Sequence, residues 1–344
     1  MPEPLCLSRI LSPPSPLAFI AAWNAFPFAL AFIAHIDRQI IPIVTMPVIV
    51  LVLFFQQHII EGLTQAESGN KPMTKDLKVG CQTFTWEMLS NAFTGGPDDL
   101  LRAISQGGYS GIEITDTMIG HYAGKPAAFA AALKDNGLTL VSFAMGSKSG
   151  FTVKEEIGAD LETTRRWIDF TAEFPGAMVS IGSATVVSEG PRDGKFAIAA
   201  EFYNRAGDLG KTSGVDVAVH PSSHHNTLLF DRADYDRIFS LLDRDLVGWV
   251  PDTGHILRGH ADILDTLRTY QDRIRYLHLK DVDAGGKWAM LGKGVCDTPA
   301  VIEIVAAAPK FNGWLVLEEE SDTAAADPAA AVKINRQTMR SYRA

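Results

Sequence analysis

From Lys78 onward, short apolar runs rich in β-branched residues alternate with stretches of helical periodicity. The apolar runs predict eight strands, at residues 79–83, 111–115, 139–144, 178–182, 215–220, 247–252, 275–279 and 314–318. A helix is predicted after each strand, at residues 97–106, 126–136, 155–173, 195–212, 233–242, 261–270, 299–308 and 329–342. Strands with so little polar alternation are typical of a parallel sheet that is buried on both faces. Eight such units in about 265 residues predict an α/β fold, the (β/α)8 TIM barrel.

The first 72 residues differ from this pattern. Two apolar runs, at 17–34 and 40–55, both contain proline, and a polar linker follows them before Met73. Three interpretations fit: an extension upstream of the true start, a membrane anchor or hairpin, or an apolar cap on the fold. We therefore assign residues 1–72 to an apolar extension and linker, and 73–344 to a TIM barrel catalytic domain. A cytoplasmic location is expected, or a membrane-associated one if the extension belongs to the native protein.

Composition, charge and the absence of certain motifs argue against several classes of binding partner and site. Its 344 residues carry a formal net charge of −9, which argues against a protein that holds nucleic acid through its overall charge. The three cysteines lie far apart, so neither a disulfide framework nor a zinc site built from cysteines is expected. No Gly-x-Gly-x-x-Gly follows the first predicted strand, which leaves a dinucleotide-binding fold without its motif.

Residues that commonly bind metals fall at the ends of the last four predicted strands. In a TIM barrel the chemistry gathers at this C-terminal rim. The strands bring to one level the side chains of His220, Asp252, His278 and Glu318. Two imidazoles and two carboxylates suit a divalent ion such as Mn²⁺, Co²⁺, Fe²⁺ or Zn²⁺. The sequence therefore predicts a metal site and leaves the identity of the ion open.

Each of these residues also has a simpler structural interpretation. A strand-end histidine such as His220 or His278 is often only hydrogen-bonded. Asp252, before Thr-Gly, has the position of a turn or helix-cap aspartate, and Glu318 that of a solvated strand end. Because all four fall at consecutive strand ends, the metal site is favoured. His260 is expected to start a helix and to be structural.

These motifs resemble the xylose isomerase-like TIM barrel superfamily, in the branch of sugar phosphate isomerases and epimerases that includes inosose dehydratase and D-tagatose 3-epimerase. The most specific segments are Asp-Thr-Gly-His at 252–255, His-Leu-Lys-Asp at 278–281, and those at 292–297 and 313–318. The resemblance implies Asp252, His278 and Glu318 as metal ligands and His255 as a contact to a substrate hydroxyl. It also implies that Glu113 lines the pocket, where a solvated strand end is the alternative.

One position departs from the epimerases of this family, which carry a glutamate where this chain has His220. Two carboxylates neutralise a divalent ion less than three do, so the ion would be a stronger Lewis acid. Epimerisation between two opposed carboxylates needs a proton acceptor on each face of the carbon. An isomerase or a β-eliminating dehydratase that uses a His or Lys as second acid or base is therefore favoured over a symmetric epimerase.

The resulting hypothesis is a metal-dependent sugar or cyclic polyol isomerase or epimerase that removes a proton next to a metal-bound carbonyl. A dehydratase acting on a keto-inositol or keto-sugar is the alternative. Glu318 or a histidine is expected to take the proton, and Lys280 or His255 to donate one. For Lys280 an ordinary salt bridge is an equal alternative. The histidines considered as base or substrate contacts are His220, His224 and His225.

Other classes fit less well. A DNA repair enzyme of the same superfamily needs a basic surface near the strand ends, which this chain lacks. A non-catalytic sugar-binding barrel would bind its ligand without turnover. The segment Gly292-Lys-Gly294 is the nearest candidate for a phosphate-binding element, with a loop over the pocket as the alternative. Residues 324–331 are expected to form a loop. A homodimer is compatible with the resemblance, because the family commonly pairs its barrels.

Overall fold

The computed structural model describes residues 76–224 and 226–342. Its strands are Lys78–Gln82 (β1), Gly111–Thr115 (β2), Thr139–Met145 (β3), Met178–Ile181 (β4), Val217–Val219 (β5), Val247–Trp249 (β6), Leu277–Leu279 (β7), Asp281–Val282 (β8), Trp288–Ala289 (β9) and Trp314–Leu317 (β10). Its α-helices are Phe84–Glu87 (α1), Pro97–Gln106 (α2), Pro126–Asp135 (α3), Ile157–Ala172 (α4), Arg192–Ser213 (α5), Arg232–Leu241 (α6), Thr253–Arg258 (α7), Ile263–Thr269 (α8), Thr298–Ala306 (α9), Asp322–Ala326 (α10) and Pro328–Ser341 (α11). Four single turns of 3₁₀ helix lie at Ser90–Ala92, Gly120–Tyr122, Lys154–Glu156 and Gln271–Arg273.

Eight of the strands form one parallel sheet, in the order β6-β5-β4-β3-β2-β1-β10-β7. Two single parallel bridges, Trp249 with Ile274 and Asp252 with His278, connect the chain at β6 to the chain at β7. The backbone N–H of His278 donates to the carbonyl of Pro251 at 2.9 Å. These bridges close the sheet into a ring with helices outside, so the predicted (β/α)8 TIM barrel is confirmed.

The helices pack on the sheet through apolar stripes of helical spacing. In α2 the residues Leu100, Leu101 and Ile104 are buried, while the opposite face is solvated. The helix begins where the sequence predicts, with Pro97 in its first turn and the Asp99 carboxylate accepting the Gly96 N–H at 2.9 Å. Because the helices cover the outer face and side chains fill the ring, strands such as β2 are buried along their whole length.

The strands that carry the predicted metal ligands are shorter than the apolar pattern suggests. β5 ends at Val219 and β6 at Trp249, so His220 and Asp252 come just after a strand rather than inside it. The chain at Asp252 turns at once into α7, a helix that the sequence analysis does not predict. His260 has a φ of 58° in the turn between α7 and α8, so the expectation that it starts a helix is wrong.

The expectation of a loop at residues 324–331 is also wrong. This segment contains the end of α10 and the start of α11. Ser321 accepts the Ala324 N–H, and Asp327 accepts the Ala330 N–H with Pro328 next in the chain. These are ordinary helix-start signals, and alanine is the best helix former, so the alanine-rich composition favours helix here.

The predictions for the N-terminal extension lie outside the described residues. The chain divides between Pro72 and Met73 into two units. The assignment of residues 1–72 to an extension, and the start-site and membrane interpretations of that extension, stay predictions. Within residues 76–224 and 226–342, no helix combines the length and the apolar character needed to cross a bilayer.

Gly111 gives a direct test of how closely the barrel is packed. A Cβ atom at this position would lie 2.5 Å from the Trp314 ring and 2.6 Å from a methyl group of Val141, both buried. We expect G111A to lower the free energy of unfolding by about 1–3 kcal/mol, the usual cost of overpacking. Gly158 of α4 has no atom near its Cβ position and is exposed, so G158A is the control.

Denaturant unfolding of both variants measures the difference. G158A should be neutral or slightly stabilising, because alanine favours a helix over glycine. Equal stability of G111A and the unmodified protein would contradict the packing described here.

Candidate metal centre

The barrel brings the four predicted ligands together at its C-terminal rim. His220 follows β5, Asp252 follows β6, His278 lies in the middle of β7 and Glu318 follows β10. The register aligns them, because His278 is paired with Asp252 on one side and with Val316 on the other. One nitrogen or oxygen of each of the four side chains lies within 4.8 Å of the others.

The distances between these atoms suit a divalent ion. His220 Nε2 lies 2.8 Å from His278 Nδ1 and 3.6 Å from Asp252 Oδ2. His278 Nδ1 lies 3.1 Å from Glu318 Oε2 and 3.7 Å from Asp252 Oδ2. Ligands about 2.0–2.2 Å from a tetrahedral ion are about 3.3–3.6 Å from one another, within the range seen here.

Asp252 provides the clearest sign that the group is built for a cation. Its Oδ1 accepts the backbone N–H of His255 at 2.8 Å and so caps α7. Its Oδ2 is buried, faces the other three side chains and has no hydrogen-bond partner among the described residues. A buried carboxylate oxygen without a partner is costly unless a cation compensates it. The helix-cap interpretation and the ligand interpretation therefore apply to different oxygens of one side chain.

Glu113 orients His278 from behind. Its Oε2 lies 2.8 Å from His278 Nε2 and accepts the Tyr276 hydroxyl at 2.5 Å, while its Oε1 accepts the Gln82 side-chain amide at 2.7 Å. In the neutral imidazole this pairing favours the proton on Nε2, which would leave the Nδ1 lone pair to face the other three side chains. Glu113 is only 1% exposed, so it is not a solvated strand end.

Lys280 places a buried positive charge beside the ligands. Its Nζ donates to Glu318 Oε1 at 2.6 Å and to Glu320 Oε1, and lies 3.7 Å from Asp252 Oδ2. Burial alone would lower the pKa of Lys280, but the three carboxylates outweigh it and hold the pKa above its usual value. Burial would likewise raise the pKa of Glu318, but Lys280 and His278 hold it below its usual value. At neutral pH the two side chains are therefore an ammonium and a carboxylate.

His255 lies beside Lys280 and is a neutral imidazole. Burial and the charge of Lys280 hold the pKa of His255 well below its usual value. Its Nδ1 accepts the backbone N–H of Ser223 at 3.0 Å, so the ring proton is on Nε2. That Nε2 lies 3.3 Å from Lys280 Nζ. His255 thus presents a hydrogen-bond donor at the cavity wall.

A hairpin that the sequence analysis does not predict covers one side of this group. Strands β8 and β9 pair antiparallel and bring Trp288 over Lys280, with 4.5 Å between Nζ and the ring centroid. The guanidinium of Arg258 lies 4.5 Å from the same ring, and the rings of Trp288 and His255 are 5.2 Å apart. The indole stabilises both cations and separates Lys280 from solvent.

The ligands open into a cavity of about 540 Å³. Of the predicted catalytic and substrate residues, Glu113, His220, His224, His255 and Glu318 line it. His224 Nε2 lies 3.7 Å from Glu320 Oε2. His225 lies outside the described residues, so its expected role stays a prediction.

The site contains four further residues that the sequence does not predict as functional: Gln82, Tyr276, Trp288 and Glu320. Gln82 and Glu320 follow the same strand-end rule that identifies Glu113 and Glu318, so the signal was present. Tyr276 and Trp288 act through contacts that depend on the barrel register and on the hairpin, and no local motif marks them.

Comparisons with known proteins agree with this architecture. A family model described as Xylose isomerase-like TIM barrel matches residues 101–342. The inosose dehydratase of Geobacillus kaustophilus (strain HTA426) is 24% identical over 272 residues, which cover 70% of this chain and 85% of that protein. Several other inosose dehydratases match over about half of their length.

Two solved structures show the same fold. An L-ribulose 3-epimerase superposes with a TM-score of 0.61 at 19% identity, covering 77% of this chain and 94% of that one. The IOLI protein with a bound zinc atom gives a TM-score of 0.62 at 15% identity, covering 78% of this chain and 96% of that one.

Replacing Glu113 tests whether it orients a metal ligand. In E113Q the neutral amide no longer fixes His278 Nε2–H as a carboxylate does, so we expect Zn²⁺ affinity to fall about 10- to 100-fold. Calorimetric titration of the metal-free protein with Zn²⁺ measures this change.

The matched control is E319Q, because Glu319 is also a buried glutamate after a strand but bonds Asn335 and Ser321 instead of a ligand. E319Q should keep the affinity of the unmodified protein. An E113Q variant that binds zinc as tightly as E319Q would show that Glu113 does not orient a metal ligand.

Proposed function

The chain belongs to the xylose isomerase-like TIM barrel family, and from that premise we propose that this enzyme is a metal-dependent isomerase or epimerase of a sugar or cyclic polyol. The reaction begins with removal of a proton from the carbon next to a carbonyl group. The observation that carries the proposal is the convergence of four ligating side chains around the unpartnered Asp252 Oδ2. The likeness to an inosose dehydratase, to an epimerase and to a zinc-containing barrel supports it.

The ion would be held by His220, Asp252, His278 and Glu318. When bound, a divalent ion polarises the substrate carbonyl and the neighbouring hydroxyl and stabilises the negative charge that develops on them. The two imidazoles and two carboxylates accept Zn²⁺, Mn²⁺, Co²⁺ or Fe²⁺, so the donor set does not select one metal.

Glu318 is the proton acceptor in this proposal. It is a carboxylate at neutral pH, lies in the cavity wall and shares its two oxygens between His278 and Lys280. When Glu318 takes up the proton and loses its charge, the ammonium of Lys280 keeps a carboxylate partner, because it is hydrogen-bonded to both Glu318 and Glu320. His255 Nε2–H is placed to donate to an oxygen of the substrate. Delivery of a proton to the opposite face of the same carbon completes an epimerisation. Delivery to the neighbouring carbon, with the hydroxyl proton passing to the former carbonyl oxygen, completes an isomerisation.

Dehydration is the second candidate, and the position of Lys280 favours it. A β-elimination needs a proton acceptor for the C–H bond and a proton donor for the leaving hydroxyl. Glu318 in the cavity wall and Lys280, which is buried directly behind it, are such a pair, with 2.6 Å between Nζ and Oε1. The position where the family's epimerases have a second carboxylate is occupied by His220 here, which weakens the symmetric two-carboxylate mechanism.

Solvent exchange in D₂O tests the shared first step. Metal-loaded enzyme, incubated with a panel of ketoses and inososes, should introduce deuterium at the carbon next to the carbonyl. We expect E318Q to lower exchange and turnover about 10²- to 10⁴-fold, the usual contribution of a general base. The control E303Q removes an exposed carboxylate of α9 and should leave both rates unchanged.

The mass of the product separates the two candidates. An isomer or epimer keeps the mass of the substrate apart from exchanged deuterium, whereas a dehydratase product lacks one water. In K280M a dehydratase should still exchange deuterium but lose product formation. Undiminished turnover by E318Q would contradict Glu318 as the base in either reaction.

A further inference from the structure

The cavity wall is rich in carboxylates and poor in lysine and arginine, and its other basic side chains in the described part of the chain are four histidines. Among the described residues that line it, five are Asp or Glu, whereas the one Lys or Arg is Lys148, which is exposed. A phosphate ester carries about two negative charges and is normally held by Arg, Lys or free backbone N–H groups.

In TIM barrels a phosphate is often bound by the loops after the last two barrel strands, together with the N-terminus of a short helix. After β7, the Asp281 carboxylate accepts the N–H groups of Gly292, Gly294 and Cys296, each at 3.0 Å. The Gly-Lys-Gly segment considered as a phosphate-binding element therefore donates its N–H groups to a carboxylate of the chain itself. It is a structured loop and has no free anion site at these atoms.

The corresponding element after β10 is equally unsuited to an anion. The short helix α10 follows Glu318, Glu319 and Glu320, and Ser321 already accepts the Ala324 N–H at its start. The ammonium of Lys280 is paired with Glu318 and Glu320. At both places these donors are thus already bonded to acceptors of this chain, the Asp281 carboxylate in the first and the Ser321 hydroxyl and two carboxylates in the second.

The wall formed by α1 and the end of β2 presents carboxylates and hydroxyl groups, which suit the binding of sugar hydroxyls rather than of a phosphate. Glu87 Oε2 accepts the Thr115 hydroxyl at 2.7 Å, and the Thr115 and Thr117 hydroxyls lie 3.0 Å apart. Asp116 lines the same wall, and burial together with the charge of Glu87 raises its pKa to about 6. Carboxylates in such a wall accept hydrogen bonds from sugar hydroxyls and repel a phosphate.

We propose that the cavity selects an uncharged, hydroxyl-bearing substrate over its phosphate ester, and that Glu87 and Asp116 determine this specificity. The inference rests on the proposed function, because it concerns the substrate class of that same site. It assigns to Glu87 and Asp116 a role in choosing the substrate and none in moving the proton.

Matched pairs of free and phosphorylated ketoses test the proposal. The probes are D-fructose, D-tagatose and L-ribulose, each beside its terminal phosphate ester, with the metal-loaded full chain. Binding by calorimetry and kcat/KM are measured for the unmodified protein and for the double variant Glu87→Gln, Asp116→Asn. The control double variant Asp169→Asn, Glu173→Gln makes the same charge change at exposed positions on and beside α4.

We expect the unmodified protein to favour the free member of a bound pair by at least about tenfold, because a like charge in the wall is strongly unfavourable. The Glu87 and Asp116 double variant should lower this preference about tenfold or more, and the control variant should keep it. A phosphate ester that binds as well as its free partner overturns the inference and leaves the proposed function standing.

An unchanged preference in the double variant overturns the assignment to Glu87 and Asp116. If no member of the panel binds and the ketose and inosose panel shows no exchange, the proposed function itself fails, and this inference fails with it.

Discussion

Three carboxylates, those of Asp252, Glu318 and Glu113, are buried within one end of the barrel, and the rest of the site follows from how their charge is compensated. Glu113 is satisfied by Tyr276, Gln82 and His278. Glu318 is paired with Lys280. Asp252 keeps one oxygen without a hydrogen-bond partner among the described residues, beside two imidazoles and Glu318. The Lys280 ammonium lies 3.7 Å from that oxygen but is shared with Glu318 and Glu320, so one cation faces three carboxylates. A divalent ion held by the four side chains would compensate the remaining charge.

The closure of the barrel makes this arrangement possible. The four candidate ligands come from four different strand ends and meet because β6 and β7 are joined through the Asp252–His278 bridge. Side chains from the loops then complete the cavity: the hairpin brings Trp288 over Lys280, and α7 begins on the same aspartate that faces the ligands. A rigid barrel thus holds the reacting groups, while the loops determine which substrate reaches them.

The sequence is sufficient to predict the eight strand–helix units and the convergence of the four candidate ligands, because a parallel barrel places strand-end residues at one level, independently of the conformation of the loops. It is not sufficient for Tyr276, which reaches Glu113 across 163 positions of the chain through the strand register. Trp288 lies in a strand of two residues, too short for any periodicity to mark. At 324–331 the alanine-rich composition predicts a loop only if the cap residues Ser321 and Asp327 are ignored, because these two residues start the helices found there.

The most direct test of the central claim is zinc K-edge X-ray absorption on the full chain after loading with Zn²⁺ and dialysis. The four strand-end ligands predict that one zinc per chain is retained and bound by nitrogen and oxygen at about 2.0–2.2 Å, with the scattering pattern of two imidazoles. The Asp252→Asn variant should lose this zinc, because the amide cannot supply the missing negative charge. Zinc that dialyses away from the unmodified protein, or that is bound through sulfur, would contradict the account.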